Sequence, residues 1–227
     1  MSIWQKLAAA LEEARRLTLG KALDAMASAK ARRDEASFSI ALIALSAKMA
    51  KADGIVTDDE VTAFQKFFSF PEEEAKNVRA MFALAQQDVA GFEHYVSRVA
   101  RIFEEDRQVL EDVLDCLYYV AMADGVAHPR ELEMLDQAAS GFRLSQGAHR
   151  RIKASHLGSD RDDPYLILGL EPGASAEAVK AKYRKLMRDN HPDALIARGV
   201  PSNLVAIAEG RTAAINNAYE KVLKDLA

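Results

Sequence analysis

Apolar positions recur at a helical period of about 3.6 residues through most of the chain, while runs alternating at period two and rich in Val, Ile and Thr are missing. This pattern predicts an all-α protein in four parts. Residues 1–36 form an N-terminal segment in which Ile3, Trp4, Leu7, Leu11 and Ala14 fall at helical spacing, so residues 1–35 read as one Ala-rich amphipathic helix. Residues 37–156 read as a helical bundle, with helices over Ser37–Ala52, Pro71–Gln87, Val89–Phe103 and Val109–Ala123. The third of these places Phe92, Tyr95, Val99, Ile102 and Phe103 on one face. A polar linker at 157–163 carries one Gly and ends before Pro164. Residues 164–227 form the last unit. It opens on a short apolar segment, Tyr165 to Leu168, ended by Gly169. Pro172-Gly173-Ala174 then turns into Ser175, whose hydroxyl suits a helix N-cap. The helix that follows is broken by His191-Pro192-Asp193, and a second amphipathic helix closes with Ile215 to Leu223.

The bundle contains an internal repeat. Ala50-Lys51-Ala52-Asp53-Gly54 matches Ala121-Met122-Ala123-Asp124-Gly125, and in both copies a Glu, Glu60 or Glu131, follows the Asp by seven residues. The offset of 71 residues exceeds a solenoid unit, so a duplicated helix pair inside one bundle fits better. The repeat carries helix-capping signals. Gly54 and Gly125 suit a left-handed turn after a helix. Thr57-Asp58-Asp59-Glu60 has the spacing of a capping box, and His128-Pro129-Arg130-Glu131 puts Pro at the first helical position and Glu at the third. It is no EF-hand, because the ligands at positions three and five and the central Gly are missing.

Charge changes the picture in one place. The net charge is −4 and the bundle is acidic, but between Ser175 and Asn190 five cations stand against two anions. Lys180, Arg184 and Arg188 are spaced four apart and form one stripe, with Lys185 beside it. Tyr183, Leu186 and Met187 fall away from the stripe and should pack against Tyr165, Leu168, Ile215 and Tyr219. A local stripe of this kind suits an acidic protein partner; nucleic acid would need a broad basic surface, so no nucleic-acid partner is expected. Cys116, the one cysteine, lies in an apolar helical stretch and reads as a buried structural thiol. His94, His128, His149 and His156 have no metal-ligand spacing with one another. A nucleophile elbow, a phosphate-binding loop and a dinucleotide Gly motif are absent, so the chain is not expected to be an enzyme.

The last unit, from about residue 162 to 226, resembles the J domain of the DnaJ (Hsp40) co-chaperones: the His191-Pro192-Asp193 tripeptide, the basic run before it and the Ile215–Leu223 segment carry the likeness. The bundle with its repeat resembles the TerB-like helical domain. TerB-like followed by J is the arrangement of co-chaperones of the DjlA type, and the resemblance then covers about residues 37–226. It implies a DnaK-type Hsp70 as partner, bound through His191, Pro192 and Asp193 and through Lys180, Arg184, Lys185 and Arg188, with ATP hydrolysis in the partner stimulated in protein folding or stress response. Pro192 stiffens the turn, and Asp193 can accept a forked bond from an Arg of the partner. A client or second partner is left for the bundle.

TerB-like domains are associated with metal, and Asp53, Asp59, Glu60, Asp124 and Glu131 are the positions that would carry over, as oxygen ligands suited to Ca²⁺ or Mg²⁺. Capping is the favoured reading of the same residues, so no cofactor is expected. The rival function is a metal-binding or stress-linked scaffold built on the bundle. DjlA-type members carry an N-terminal transmembrane segment, which is not expected here: the longest apolar run, Phe38 to Leu45, contains Ser39 and is too short to span a bilayer. No signal-peptide core is evident, so the location expected is the cytoplasm. Peripheral contact with the inner membrane through residues 1–23 would use Ile3, Trp4, Leu7 and Leu11 with Lys6, Arg15 and Arg16 at the headgroups. Packing on the bundle or on another subunit is preferred, because Glu12 and Glu13 offset those cations.

Overall fold

In a computed structural model of the chain, the structure describes residues 35–50, 75–87, 91–122, 125–157, 163–200 and 205–226, together with Ala9, Leu11, Glu12, Thr18, Lys21 and Leu23. Among these residues every regular element is a helix, as the periodicity predicts. The bundle comprises α1 (Glu35–Ala50), α2 (Ala75–Gln87), α3 (Phe92–Ile102), α4 (Arg107–Ala121), α5 (Pro129–Gly141) and α6 (Gln146–His156). The C-terminal unit comprises α7 (Pro164–Leu168), α8 (Ala176–Asp189), α9 (Pro192–Ala197) and α10 (Val205–Asp225).

The centre of the bundle is α1. Its residues from Ser37 to Met49 are all buried, polar ones included, and it packs against α2, α3 and α4. A helix that is apolar nearly all round can only be stable when enclosed by others. Lys48 is accommodated there by its ammonium lying 4.7 Å from the centroid of the Tyr95 ring on α3. Helices α3 and α5 meet closely at Gly141, where an added Cβ would collide with the side chain of Val96. Cys116 is buried on α4, and burial pushes its thiol well above the ordinary range, which makes it structural as expected.

The N-terminal segment departs from one continuous helix. Thr18 is not helical, and its hydroxyl accepts a hydrogen bond from the Lys21 N–H at 3.2 Å. A side-chain acceptor three residues ahead of an orphan N–H is the geometry that starts a new helix, so the segment breaks there. Leu11 and Leu23 are both buried in the bundle core. Leu11 therefore packs on the bundle and not in a membrane surface; Ile3, Trp4, Lys6, Leu7, Arg15 and Arg16 lie outside the described residues. No helix among the described residues is long and apolar enough to cross a membrane.

Short-range capping builds the C-terminal unit. The Asp163 carboxylate accepts from the N–H groups of Tyr165 and Leu166 at 2.9 and 3.2 Å, Pro164 opens α7, and Gly169 ends it in the left-handed conformation at φ 65°. Ser175 starts α8 by accepting from Ala178 N–H at 3.2 Å. Between α7, α8 and α10 lies a small separate core of Ile167, Leu168, Val179, Leu186, Ile215, Ala218 and Val222. Tyr183 stacks on Tyr219 with ring centroids 4.0 Å apart, and its hydroxyl donates to Asn216 Oδ1 at 2.9 Å. Tyr183, Leu186 and Met187 thus face the core as their spacing requires. Helix α9 behaves differently: Leu195, and Val200 just after the helix, belong to the bundle core.

Candidate functional site

The His191 turn sits at the join of α8 and α9. Helix α8 ends at Asn190, and His191 is the N-cap of α9 in an extended conformation. The sequence suggests a loop at the tripeptide, but Pro192 and Asp193 lie in the first turn of α9. Proline suits that position because its fixed φ is helical and its missing N–H would be unpaired anyway. The Asp193 N–H donates to His191 Nδ1 at 3.2 Å, so a neutral imidazole carries its proton on Nε2. Side-chain exposure is 61% for His191 and 89% for Asp193, which leaves both groups open to a partner.

Lys180, Arg184, Lys185 and Arg188 are all exposed on α8. Lys185 and Arg188 flank Asp189: Lys185 forms a close i,i+4 ion pair with it, and Arg188 Nε lies 3.9 Å from Oδ1. Lys180 and Arg184 have no carboxylate at ion-pair distance among the described residues. The helix therefore presents a cationic face that begins next to the His191 turn.

Behind the turn lies a polar junction that the sequence analysis misses. Two α4 carboxylates, Asp112 and Asp115, are 1% and 2% exposed. Arg198 Nε donates to Asp112 Oδ2 at 2.8 Å, and its Nη2 donates to the Asp189 carbonyl at 2.9 Å. Arg211 on α10 pairs closely with Asp115 Oδ2, lies 3.4 Å from Asp112 Oδ1 and donates to Asn190 Oδ1 at 2.5 Å. His156 Nε2, at the end of α6, is 3.0 Å from Asp115 Oδ1. Burial alone would raise the Asp115 carboxyl, but Arg211 and His156 outweigh it and hold it below the ordinary range. For Asp112 burial wins over Arg211 and Arg198, and its pKa is raised. Nearby, within the bundle, Arg151 Nη2 on α6 donates to Glu111 on α4 at 2.5 Å. Asp115 inside the apolar stretch Val113 to Tyr118, with Asp112 just before it, was the available signal, since a buried carboxylate requires a cation from somewhere.

Of the repeat residues, Asp53, Asp59, Glu60 and Asp124 lie outside the described residues, as do Gly54 and Thr57. Gly125 adopts φ 94°, a left-handed conformation, three residues beyond the α4 C-cap Met122. Pro129 opens α5, and the Glu131 carboxylate reaches back to accept the His128 N–H at 2.9 Å. That is the capping arrangement read from the sequence for the second copy. Among the described residues no group of three or more His, Cys, Asp or Glu could hold a metal ion. Glu131→Ala is therefore expected to cost about 0.5–2 kcal/mol, the range for losing a helix cap, by the same amount with and without millimolar Ca²⁺ or Mg²⁺. A thermal melt of the wild-type chain that rises with either cation, and no longer rises in Asp53→Asn with Asp124→Asn, would reassign these residues as ligands.

Comparison with known proteins agrees with this architecture. The family described as Tellurite resistance protein TerB matches residues 39–154, and the DnaJ domain family matches residues 163–226. The chain is 28% identical over 228 residues to the Co-chaperone protein DjlA of Vibrio cholerae, covering 86% of this chain and 80% of that protein. The DjlA of Vibrio parahaemolyticus is 29% identical with the same coverage of each. That of Coxiella burnetii is 25% identical over 78% of this chain and 73% of its own length. No solved structure matches the chain.

Proposed function

The chain belongs to the TerB family and carries a C-terminal DnaJ domain, and from that premise we propose that it is an Hsp70 co-chaperone whose J domain stimulates ATP hydrolysis by a DnaK-type Hsp70. The observation that carries this reading is the pairing of two exposed groups, His191 and Asp193, on a capped helix start beside an exposed cationic face. Asp193 is open to a forked, charge-assisted bond from an Arg of the ATPase, and His191 offers a second contact whose direction is set by its own hydrogen bond to the Asp193 N–H. Lys180, Arg184, Lys185 and Arg188 speed encounter and set orientation against an acidic surface. Pro192 fixes the turn between the two contact regions. The hydrolysing residues belong to the partner, so this chain is a stimulator and not itself an enzyme, acting in the cytoplasm with its DnaK-type partner.

The direct test is single-turnover ATP hydrolysis by a DnaK-type Hsp70 with and without the chain. Acceleration is expected; an unchanged rate at saturating chain would refute the reading. The cationic face makes a further prediction. Association should weaken as ionic strength rises, and Arg184→Ala with Arg188→Ala should flatten that dependence, since the screened charges are on that face. A salt slope left intact by the double substitution would put docking elsewhere.

A further inference from the structure

We infer that the bundle is a positioning element for the J domain: Asp112 and Asp115 on α4, by gripping Arg198 and Arg211, hold the end of α8 and the His191 turn in one orientation with the cationic face turned outward. This deepens the co-chaperone reading and rests on it for its functional half. The two arginines reach the two residues that immediately precede His191. Arg198 bridges Asp112 to the Asp189 carbonyl, and Arg211 bridges Asp112 and Asp115 to the Asn190 side chain. Asn190 is buried and its side chain donates to the Leu186 carbonyl at 2.8 Å, so it cannot turn without losing that bond. On the other side of the turn, Leu195 and Val200 are seated in the bundle core. The tripeptide is thereby held from both ends by the bundle.

The orientation follows from helix geometry. Lys182 on α8 is half-buried, its side chain lying against Gly169 where Arg151 of α6 also approaches. Lys182 is two residues from Lys180 and from Arg184, roughly 200° around the helix at 3.6 residues per turn. With Lys182 facing the bundle, the stripe faces away from it, and the docking face stays open while the J domain is clasped. The arginines that pair Asp112 and Asp115 come from the J domain, so separating the two halves would break every Arg–carboxylate pair at the junction.

The test uses the full chain and two variants. Arg198→Lys keeps the charge beside Asp112 but loses the planar fork that also reaches the Asp189 carbonyl. Asp112→Asn with Arg198→Gln removes both charges, so no buried ion is orphaned. Both should keep helicity, yet amide hydrogen exchange from Asn190 to Leu195 should quicken by about tenfold, as expected when one charge-assisted bond is lost. The chain concentration giving half-maximal stimulation of a DnaK-type Hsp70 should rise several-fold, although no docking residue has changed. Unchanged exchange in the turn overturns the clasp; faster exchange with wild-type stimulation overturns its positioning role. If the wild-type chain itself fails to stimulate, the co-chaperone reading is lost, and the exchange arm still judges the clasp.

Discussion

Asp193→Asn should abolish stimulation of Hsp70 while leaving the fold intact. The carboxylate is 89% exposed, with His191 Nδ1 at 3.7 Å, so little of the native structure depends on it. Its favourable placement in the first turn of α9 is worth below about 1 kcal/mol. Losing one partner of a desolvated charge pair in a complex costs about 2–5 kcal/mol, which is at least roughly 30-fold in affinity. His191→Gln should also abolish stimulation, but with a small added loss of stability, because the ring caps α9 by accepting the Asp193 N–H. Single-turnover kinetics and thermal melts on the two variants check this. Wild-type stimulation by Asp193→Asn would remove the ground for assigning the turn as the contact.

Arg211→Met should be among the most destabilising single changes in the chain. Arg211 is 14% exposed and stands between two carboxylates that are 1% and 2% exposed. Removing one partner of a buried pair leaves an uncompensated charge and costs about 3–5 kcal/mol. The exposed pair of Arg150 with Glu171 gives the contrast: at 62% and 85% exposure its loss should be worth below about 1 kcal/mol. Acid should narrow the deficit. Asp115 has a folded pKa below its ordinary 3.8, so it contributes stability above that value that is lost as pH falls through the folded one. In Arg211→Met the largest part of that contribution is gone, and protonation relieves the carboxylates left short of a cation. Urea unfolding at neutral pH and near pH 4 should show the gap narrowing as the variant's orphaned carboxylates protonate, the wild-type contribution being lost only below 3.8. A variant as stable as wild type at neutral pH would mean that Arg211 carries no buried ion pair.

The membrane-facing reading of the N-terminal segment illustrates how far periodicity reaches. Spacing marks Leu11 as one of a helical apolar set, but an apolar stripe suits a lipid surface and a protein core equally well. Burial of Leu11 and Leu23 in the bundle core decides for Leu11, and the break at Thr18 depends on a single hydroxyl taking an N–H three residues on.

What the sequence by itself determined was local. Helix type follows from the period of apolar residues, and the Asp163, Ser175 and Glu131 caps join groups two or three residues apart, so spacing in the chain is spacing in space. The stripe of Lys180, Arg184 and Arg188 and the turn at His191 are legible for the same reason: each lies within one helix or one helix junction. Only the tertiary structure decided the junction. Arg198 meets Asp112 across 86 residues and Arg211 meets it across 99. On α4 the helical period puts Asp112 and Asp115 on one polar face with Arg107, Gln108 and Glu111, a face that reads as solvent-directed, so nothing in the pattern announces that these two carboxylates are buried. Which cation satisfies a buried carboxylate is set by how two units pack, and that depends on the shapes of both surfaces together, which no periodicity in either one encodes.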